Sequence, residues 1–147
     1  MKSLSCSAKE RAQLLEIAQQ AAFGLVKESA NANTDGDAVA KAYLDYFRRY
    51  QSSSLGDKAL YHAAVAYEKA GNEKAATKVK LKLIKLFPKS ELSRETLFAM
   101  AAEHENAVEI KKSRKLFEHF AQSYADDERA PMAWLKVAKF STVLGDG

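Results

Sequence analysis

Bulky apolar residues recur in this sequence at a step of 37. Leu60, Leu97 and Trp134 form one such column, and Phe23 lies one step further upstream. Tyr50, Phe87 and Tyr124 form a second, Tyr46, Leu83 and Phe120 a third, and Phe47, Ile84 and Ala121 a fourth. Gly71 and Gly145 stand two steps apart. A fixed step of this size confines the chain to architectures in which one supersecondary unit stacks on the next.

The unit is helical. Alanine, leucine, lysine and glutamate dominate, and these residues lose least on entering a helix. Two prolines and six glycines are too few for an all-β protein with many turns. Seven helices are expected. The first covers Ala8–Ala32, with Leu14, Leu15, Ala18, Ala22 and Leu25 or Val26 on one face. Asn31 to Asp37 is a run of turn and cap residues that breaks it. Ala38–Tyr50 follows, then a serine-rich loop in which Asp57 is the expected cap of Lys58–Ala70. Gly71 ends that helix. Glu73–Phe87 stops before Pro88; its Lys80-Leu81-Lys82-Leu83 alternates like a strand, but Ala76, Val79, Leu83 and Phe87 continue a helical stripe through it. Ser90 or Ser93 opens the fifth helix, which ends near Asn106; Glu109–Tyr124 is the sixth. The seventh has Pro131 in its first turn and Gly145 after its end.

A chain of 147 residues with 47% apolar content can bury a full core, and 29% charge is ordinary for a folded protein. No stretch approaches the roughly 20 apolar residues of a spanning helix, and the first ten residues lack the apolar core of a signal peptide. The lone Cys6 has no disulfide partner. Ser3-Leu4-Ser5-Cys6 falls short of a lipid-attachment box, because Leu4 stands one place too close to the cysteine and nothing apolar precedes it.

The step and its small-residue positions resemble the tetratricopeptide repeat, whose pattern asks for bulky, small and aromatic residues at set intervals and a closing proline. One unit reads Leu60, Ala63, Ala64, Tyr67, Ala76, Lys80, Pro88. The next reads Leu97, Met100, Ala101, His104, Ser113, Phe117, Ala125, and the last reads Trp134, Val137, Ala138, Ser141. A degenerate first unit reads Phe23, Val26, Lys27, Ala30, Val39, Tyr43, Gln51. Departures are Lys80 for a large apolar residue, His104 and Ser141 for the aromatic, and Lys27 for a small residue. The resemblance covers about residues 20–147. It implies an all-α fold, a right-handed superhelix of stacked antiparallel helix pairs (a tetratricopeptide-like α-solenoid), as a single domain over 1–147. Within it stand a degenerate unit at 8–51, repeats at 57–89 and 94–125, and a partial repeat at 131–147. The long step and Leu86-Phe87-Pro88-Lys89-Ser90 are similar to the bacterial envelope subgroup of outer-membrane assembly lipoproteins and cell-division coordinators. The implied compartment is the periplasm or cell envelope if the chain is trimmed from a longer one, and the cytoplasm otherwise. The sequence ends in the turn where a second helix is due, which favours trimming.

In such proteins the first helix of each pair lines a concave groove that holds a protein or peptide. Carried over, the groove takes Lys58, Tyr61, His62, Val65 and Lys69 from one unit. Glu95, Phe98, Ala102 and Glu105 come from the next, and Leu135, Lys136 and Lys139 from the last. Apolar side chains mixed with lysines suit a peptide bearing acidic residues. Tyr61, Phe98 and Leu135 are equally expected as residues packed on a neighbouring helix. A dimer through an exposed C-terminal edge of Val137, Phe140 and Leu144 is also expected.

No catalytic, metal or cofactor pattern is present. His62, His104 and His119 lie in different helices without a partner histidine at ligand spacing. Cys6 lacks a base motif, the glycines form no phosphate loop, and Glu103 with Glu105 is an ordinary pair. The chain reads as a non-enzyme. The net charge is +4, with Lys74, Lys78, Lys80, Lys82, Lys85 and Lys89 crowding one helix and Lys111, Lys112, Arg114 and Lys115 a second. These are expected as solvated faces. Their alternative reading is an anionic surface binder of nucleic acid or lipid headgroups, with nucleic acid disfavoured because no aromatics interleave the lysines. A further alternative is a purely structural segment of a larger repeat protein.

Overall fold

The computed structural model describes residues 6–145; Ser3, Leu4 and Ser5 of the cysteine tetrapeptide, and Asp146 after the final turn, lie outside them. Among the described residues there are seven helices and no strand. They are α1 (Ala8–Ala32), α2 (Gly36–Arg49), α3 (Gly56–Lys69), α4 (Glu73–Leu86), α5 (Glu91–Asn106), α6 (Ile110–Ser123) and α7 (Ala130–Leu144). Lys80 to Leu83 are helical, as the stripe on either side of them requires. The chain divides into two compact units, Met1–Val79 and Lys80–Gly147. In the first, α1 packs on α2 and α2 on α3; in the second, α5 packs on α6 and α6 on α7.

The 37-residue step is written in the backbone hydrogen bonds. The amide of Ser53 donates to the carbonyl of Tyr50, that of Ser90 to Phe87, and that of Asp127 to Tyr124, at 2.9, 2.9 and 3.0 Å. The side chain at each of these three positions then accepts from the amide two residues on. Ser53 Oγ takes Leu55 at 3.1 Å, Ser90 Oγ takes Leu92 at 3.2 Å, and Asp127 Oδ1 takes Arg129 at 2.9 Å. One short polar residue thus turns the chain into α3, α5 and α7 alike. This displaces Asp57 as the cap of α3: the turn leads directly into Gly56, so Asp57 falls inside the first helical turn. For the same reason Ser90, not Ser93, caps α5; Ser93 is fully buried and its hydroxyl donates to the Leu83 carbonyl at 3.2 Å.

The core of the second unit gathers Ile84, Leu97, Met100, Ala101, Phe117, Phe120, Ala121, Ala133 and Phe140. Small residues set its spacing: Ala101, Ser113 and Ala133 are fully buried, which lets the helix backbones approach, and Ser113 Oγ donates to the Ala101 carbonyl at 2.8 Å. In the first unit Ala59, Leu60, Ala63 and Ala64 play the same part, with Tyr43, Tyr46 and Phe47 of α2. The Tyr46 hydroxyl donates to the Gln19 carbonyl at 3.0 Å and lies 2.8 Å from Ser53 Oγ, tying α1 and the α2–α3 turn to one buried point.

Three expectations are corrected. The face of α1 built on Leu14, Leu15 and Leu25 is exposed, at 60%, 52% and 67%. Ala22 and Val26 of the expected face are half-buried, beside the buried Gln19 and the half-buried Phe23 and Ala30. At 1.5 Å per residue α1 is roughly 38 Å long and α2 roughly 21 Å, so the first turns of α1 run past their support. Trp134 is 44% exposed whereas Leu60 and Leu97 are sealed, because no described helix lies on the outer side of α7. Finally, Phe140 is buried and Val137 packs on the core cluster, so the exposed large apolar residues of α7 are instead Met132, Trp134, Leu135 and Val143, which do not share one face.

Candidate functional site

In the first unit, α3 carries Lys58, Tyr61, His62, Val65 and Lys69 along one side. Tyr43 of α2 is 4% exposed and its ring stacks on the His62 imidazole, with centroids 5.2 Å apart and planes at 23°. Phe23 of α1 stands 6.2 Å from the same imidazole, and Tyr61 meets it edge-on at 5.8 Å. The helix spacing explains the assembly. Tyr43 and Phe23 point inward from α2 and α1, and His62 leaves α3 two residues after the buried Leu60, at the border of the packed face. Burial, then the positive charges of Lys27 and Lys58, hold the His62 pKa below its ordinary value, so the ring stays neutral.

Beside this stack the α1–α2 connection, α2 and α3 border an open cavity of about 270 Å³. His62, Val65 and Lys69 line it, together with Tyr43, Val39, Ala66 and the polar Asn31, Asn33 and Thr34. Lys58 and Lys69 are exposed; Tyr61 and Val65 are half-buried. The site therefore offers a recess of mixed polarity, with Val39, Val65 and the His62 imidazole on its wall, Asn31, Asn33 and Thr34 at one side, and lysines around it.

In the second unit the corresponding residues are occupied. Glu95 receives both terminal nitrogens of Arg129, at 2.6 and 3.0 Å, and Arg129 Nε donates to Asp127 at 2.9 Å. The Arg129 guanidinium lies 4.7 Å from the Phe98 ring centroid and 5.2 Å from that of Phe120. Phe98 is half-buried, edge-on to Phe117 and Phe120 at 5.6 and 5.0 Å. Hydrogen bonds from Arg129 hold Asp127 and Glu95 below the ordinary carboxylate range, and the two acids in turn raise the pKa of Arg129. Glu105 is bound by Lys136 at 2.6 Å, and Lys136 Nζ sits 5.3 Å from the Phe117 centroid. Ala102 is half-buried, Lys139 exposed, and Leu135 70% exposed. Glu95, Phe98, Glu105 and Lys136 thus join α5 to α7.

Of the residues the sequence singled out, His62, Val65 and Lys69 share one cavity, and Tyr61 and Lys58 flank it. Tyr43 and Phe23, which build the stack, were read only as packing residues of α2 and α1. Arg129, the hub of the second unit, was not singled out, since its partners lie 2 and 34 residues away at no regular spacing. Asp127 could have been found: it follows Ser53 and Ser90 in the 37-residue register.

Among the described residues no group of His, Cys, Asp and Glu is placed to hold a metal ion, and no helix is long and apolar enough to cross a membrane. No family model, curated protein or solved structure matches this chain.

Proposed function

We propose that this chain is a non-catalytic, tetratricopeptide-like scaffold that holds a peptide or protein partner on the exposed side of α3. The observation that carries the reading is the cavity lined by His62, Val65 and Lys69. Val39, Val65 and Ala66 give it an apolar wall for part of a side chain, its polar rim offers hydrogen bonds, and the lysines around it favour a neighbouring carboxylate on the same peptide. Tyr61 at its edge is the natural anchor, since a half-buried aromatic loses little freedom on binding. The α5 and α7 residues already satisfied by Arg129 and Lys136 support the fold and are not part of this surface. The resemblance to envelope repeat proteins points to a cell-envelope assembly as its setting.

The competing reading is an anionic surface binder, for which the exposed Lys74, Lys78, Lys85 and Lys89 speak. Partner capture from envelope and cytosolic fractions separates the two. Wild-type chain, Tyr61→Ala, Val65→Glu and a Lys78→Glu/Lys82→Glu/Lys85→Glu variant serve as baits. The α3 changes should abolish capture of a protein and the lysine changes leave it within a few-fold. The reverse ranking, with affinity falling steeply as salt rises, would establish the anionic surface instead.

A further inference from the structure

The charges around the α3 recess are all of one sign. Lys69 lines it, and Lys27 of α1 and Lys58 of α3 act on its His62 wall. Among the described residues no carboxylate lines the recess, and none of these three lysines takes part in an ion pair. The acids nearest to it are engaged elsewhere: Asp35 caps α2, and Asp37 accepts from Asn72.

His62 stands inside this set of lysines. The titratable and charged groups facing its ring are Lys27 from α1, Tyr43 from α2, and Lys58, Tyr61 and Lys69 from α3. Neither ring nitrogen has a hydrogen-bond partner among the described residues. Burial and the two nearest lysines oppose a further positive charge, so the empty recess holds the neutral imidazole. Lys58, His62, Val65 and Lys69 follow at steps of four, three and four residues and share one side of α3. Along the axis His62 lies roughly 6 Å from Lys58 and roughly 10 Å from Lys69, so one small anion beside the ring is within reach of both side chains.

We propose that the α3 recess takes up its acidic partner together with one proton, which His62 accepts as a partner carboxylate settles beside Lys58 and Lys69. This rests on the α3 partner site proposed above and adds how that site is regulated. The proton comes from solvent to a ring nitrogen, and no other covalent bond changes. A carboxylate against the imidazole favours its charged form, and the Tyr43 ring already stacked on it supports an imidazolium in place. The coupling is reciprocal: a proton on His62 strengthens the hold on the carboxylate. Affinity therefore rises as pH falls, by at most about tenfold per pH unit for one proton.

The repeat supports the sign. Glu95 and Phe98 stand one 37-residue step after Lys58 and Tyr61. There Arg129 supplies the opposite charge, binding Glu95 at 2.6 Å with its guanidinium 4.7 Å from the Phe98 centroid. At that position α3 carries the reverse charge without an acid to meet it among the described residues, so the partner that completes it is an anion.

Proton NMR on the full chain tests this, with 3-phenylpropionate as the probe and its uncharged amide as the control, each up to about 50 mM. The probe stays ionised above about pH 5.5, so pH dependence from there upward belongs to the protein. The carboxylate should raise the His62 pKa by about one unit, which makes its affinity roughly tenfold higher for the protonated ring than for the neutral one. His104 and His119 should keep their values, and the amide should shift none of the three. His62→Gln should bind the carboxylate with one affinity across the range. Carboxylate binding that moves α3 resonances without moving the His62 pKa overturns the proposal and leaves the α3 site standing. An amide that raises the His62 pKa equally also overturns it. If neither probe moves α3 resonances at any pH, the site and the proposal fall together. Should His62→Gln not fold, the wild-type titrations decide by themselves.

Discussion

Val108 holds the left-handed backbone conformation, at φ 61°, that Gly71 holds at φ 73° one 37-residue step earlier; Gly145, one step later, stands at φ 75°. The surrounding hydrogen bonds repeat as well. The amides of Asn72 and Glu109 donate to the carbonyls of Tyr67 and His104, at 2.8 and 2.9 Å, and those of Gly71 and Val108 to Glu68 and Glu105, each at 2.9 Å. The helix stop belongs to the repeat, and α5 makes it with a β-branched residue for which this conformation is costly.

Replacing Val108 with glycine should therefore stabilise the protein by about 1 kcal/mol, the relief of left-handed strain less the entropy glycine costs in the unfolded chain. Gly71→Val should destabilise it by about 1–2 kcal/mol. Denaturant midpoints at unchanged slope measure both. A destabilised Val108→Gly would mean that contacts of the exposed valine side chain outweigh its backbone strain.

Gly36 opens α2 where a Cβ would meet the Ala66 carbonyl oxygen at 2.6 Å and the Ala70 Cβ at 3.0 Å. Both obstacles belong to α3 or its C-terminal cap and neither can swing aside. Gly36→Ala should cost about 2 kcal/mol or more by forcing α2 and α3 apart, against a few tenths for Gly24→Ala, whose Cβ meets nothing. Equal effects at the two positions in thermal or denaturant unfolding would contradict the close approach.

Phe98 and Tyr61 were drawn from the same carried-over groove, yet the structure gives them different work. Phe98→Ala removes a ring held between Phe117, Phe120 and Arg129 and should cost about 2–3 kcal/mol. Tyr61→Ala should cost about 1 kcal/mol or less. Unfolding curves of the two variants decide whether the second unit's groove residues are structural.

Helix number, order and most boundaries were legible because they depend on local rules: apolar spacing, Pro88, Gly71 and the short polar residues before α5 and α7. The 37-residue step also marked which columns would be buried, including Leu83, Phe120 and Ala121. What was not legible depends on neighbours. Whether Leu25 or Gln19 faces α2 turns on which side of α1 the neighbouring helix takes, and Trp134 looks like Leu97 in sequence but is 44% exposed. The site was half legible. His62, Val65 and Lys69 came from the repeat register, but the Tyr43 ring under His62 joins two helices across a gap that no periodicity encodes.

Acid should weaken the fold in two steps. The His62 pKa is lowered in the folded state, so the unfolded chain binds the extra proton. Stability is full above the ordinary value of 6.5 and falls as pH drops through it toward the folded value. Asp127 is likewise depressed, chiefly by hydrogen bonds from Arg129, and its contribution is lost only as pH falls below 3.8. Denaturant midpoints across pH should show both limbs. His62→Gln should flatten the upper one alone, and an unchanged upper limb would remove His62 from the account.

Photocrosslinking tests the scaffold reading most directly. A benzophenone amino acid replaces Tyr61, Val65 or Lys78 in the full chain, which is then irradiated in extracts of its host. Positions 61 and 65 should capture the same discrete protein, and position 78 should capture none of it. Capture of nucleic acid or lipid at position 78, with nothing at 61 or 65, would contradict a partner site on α3.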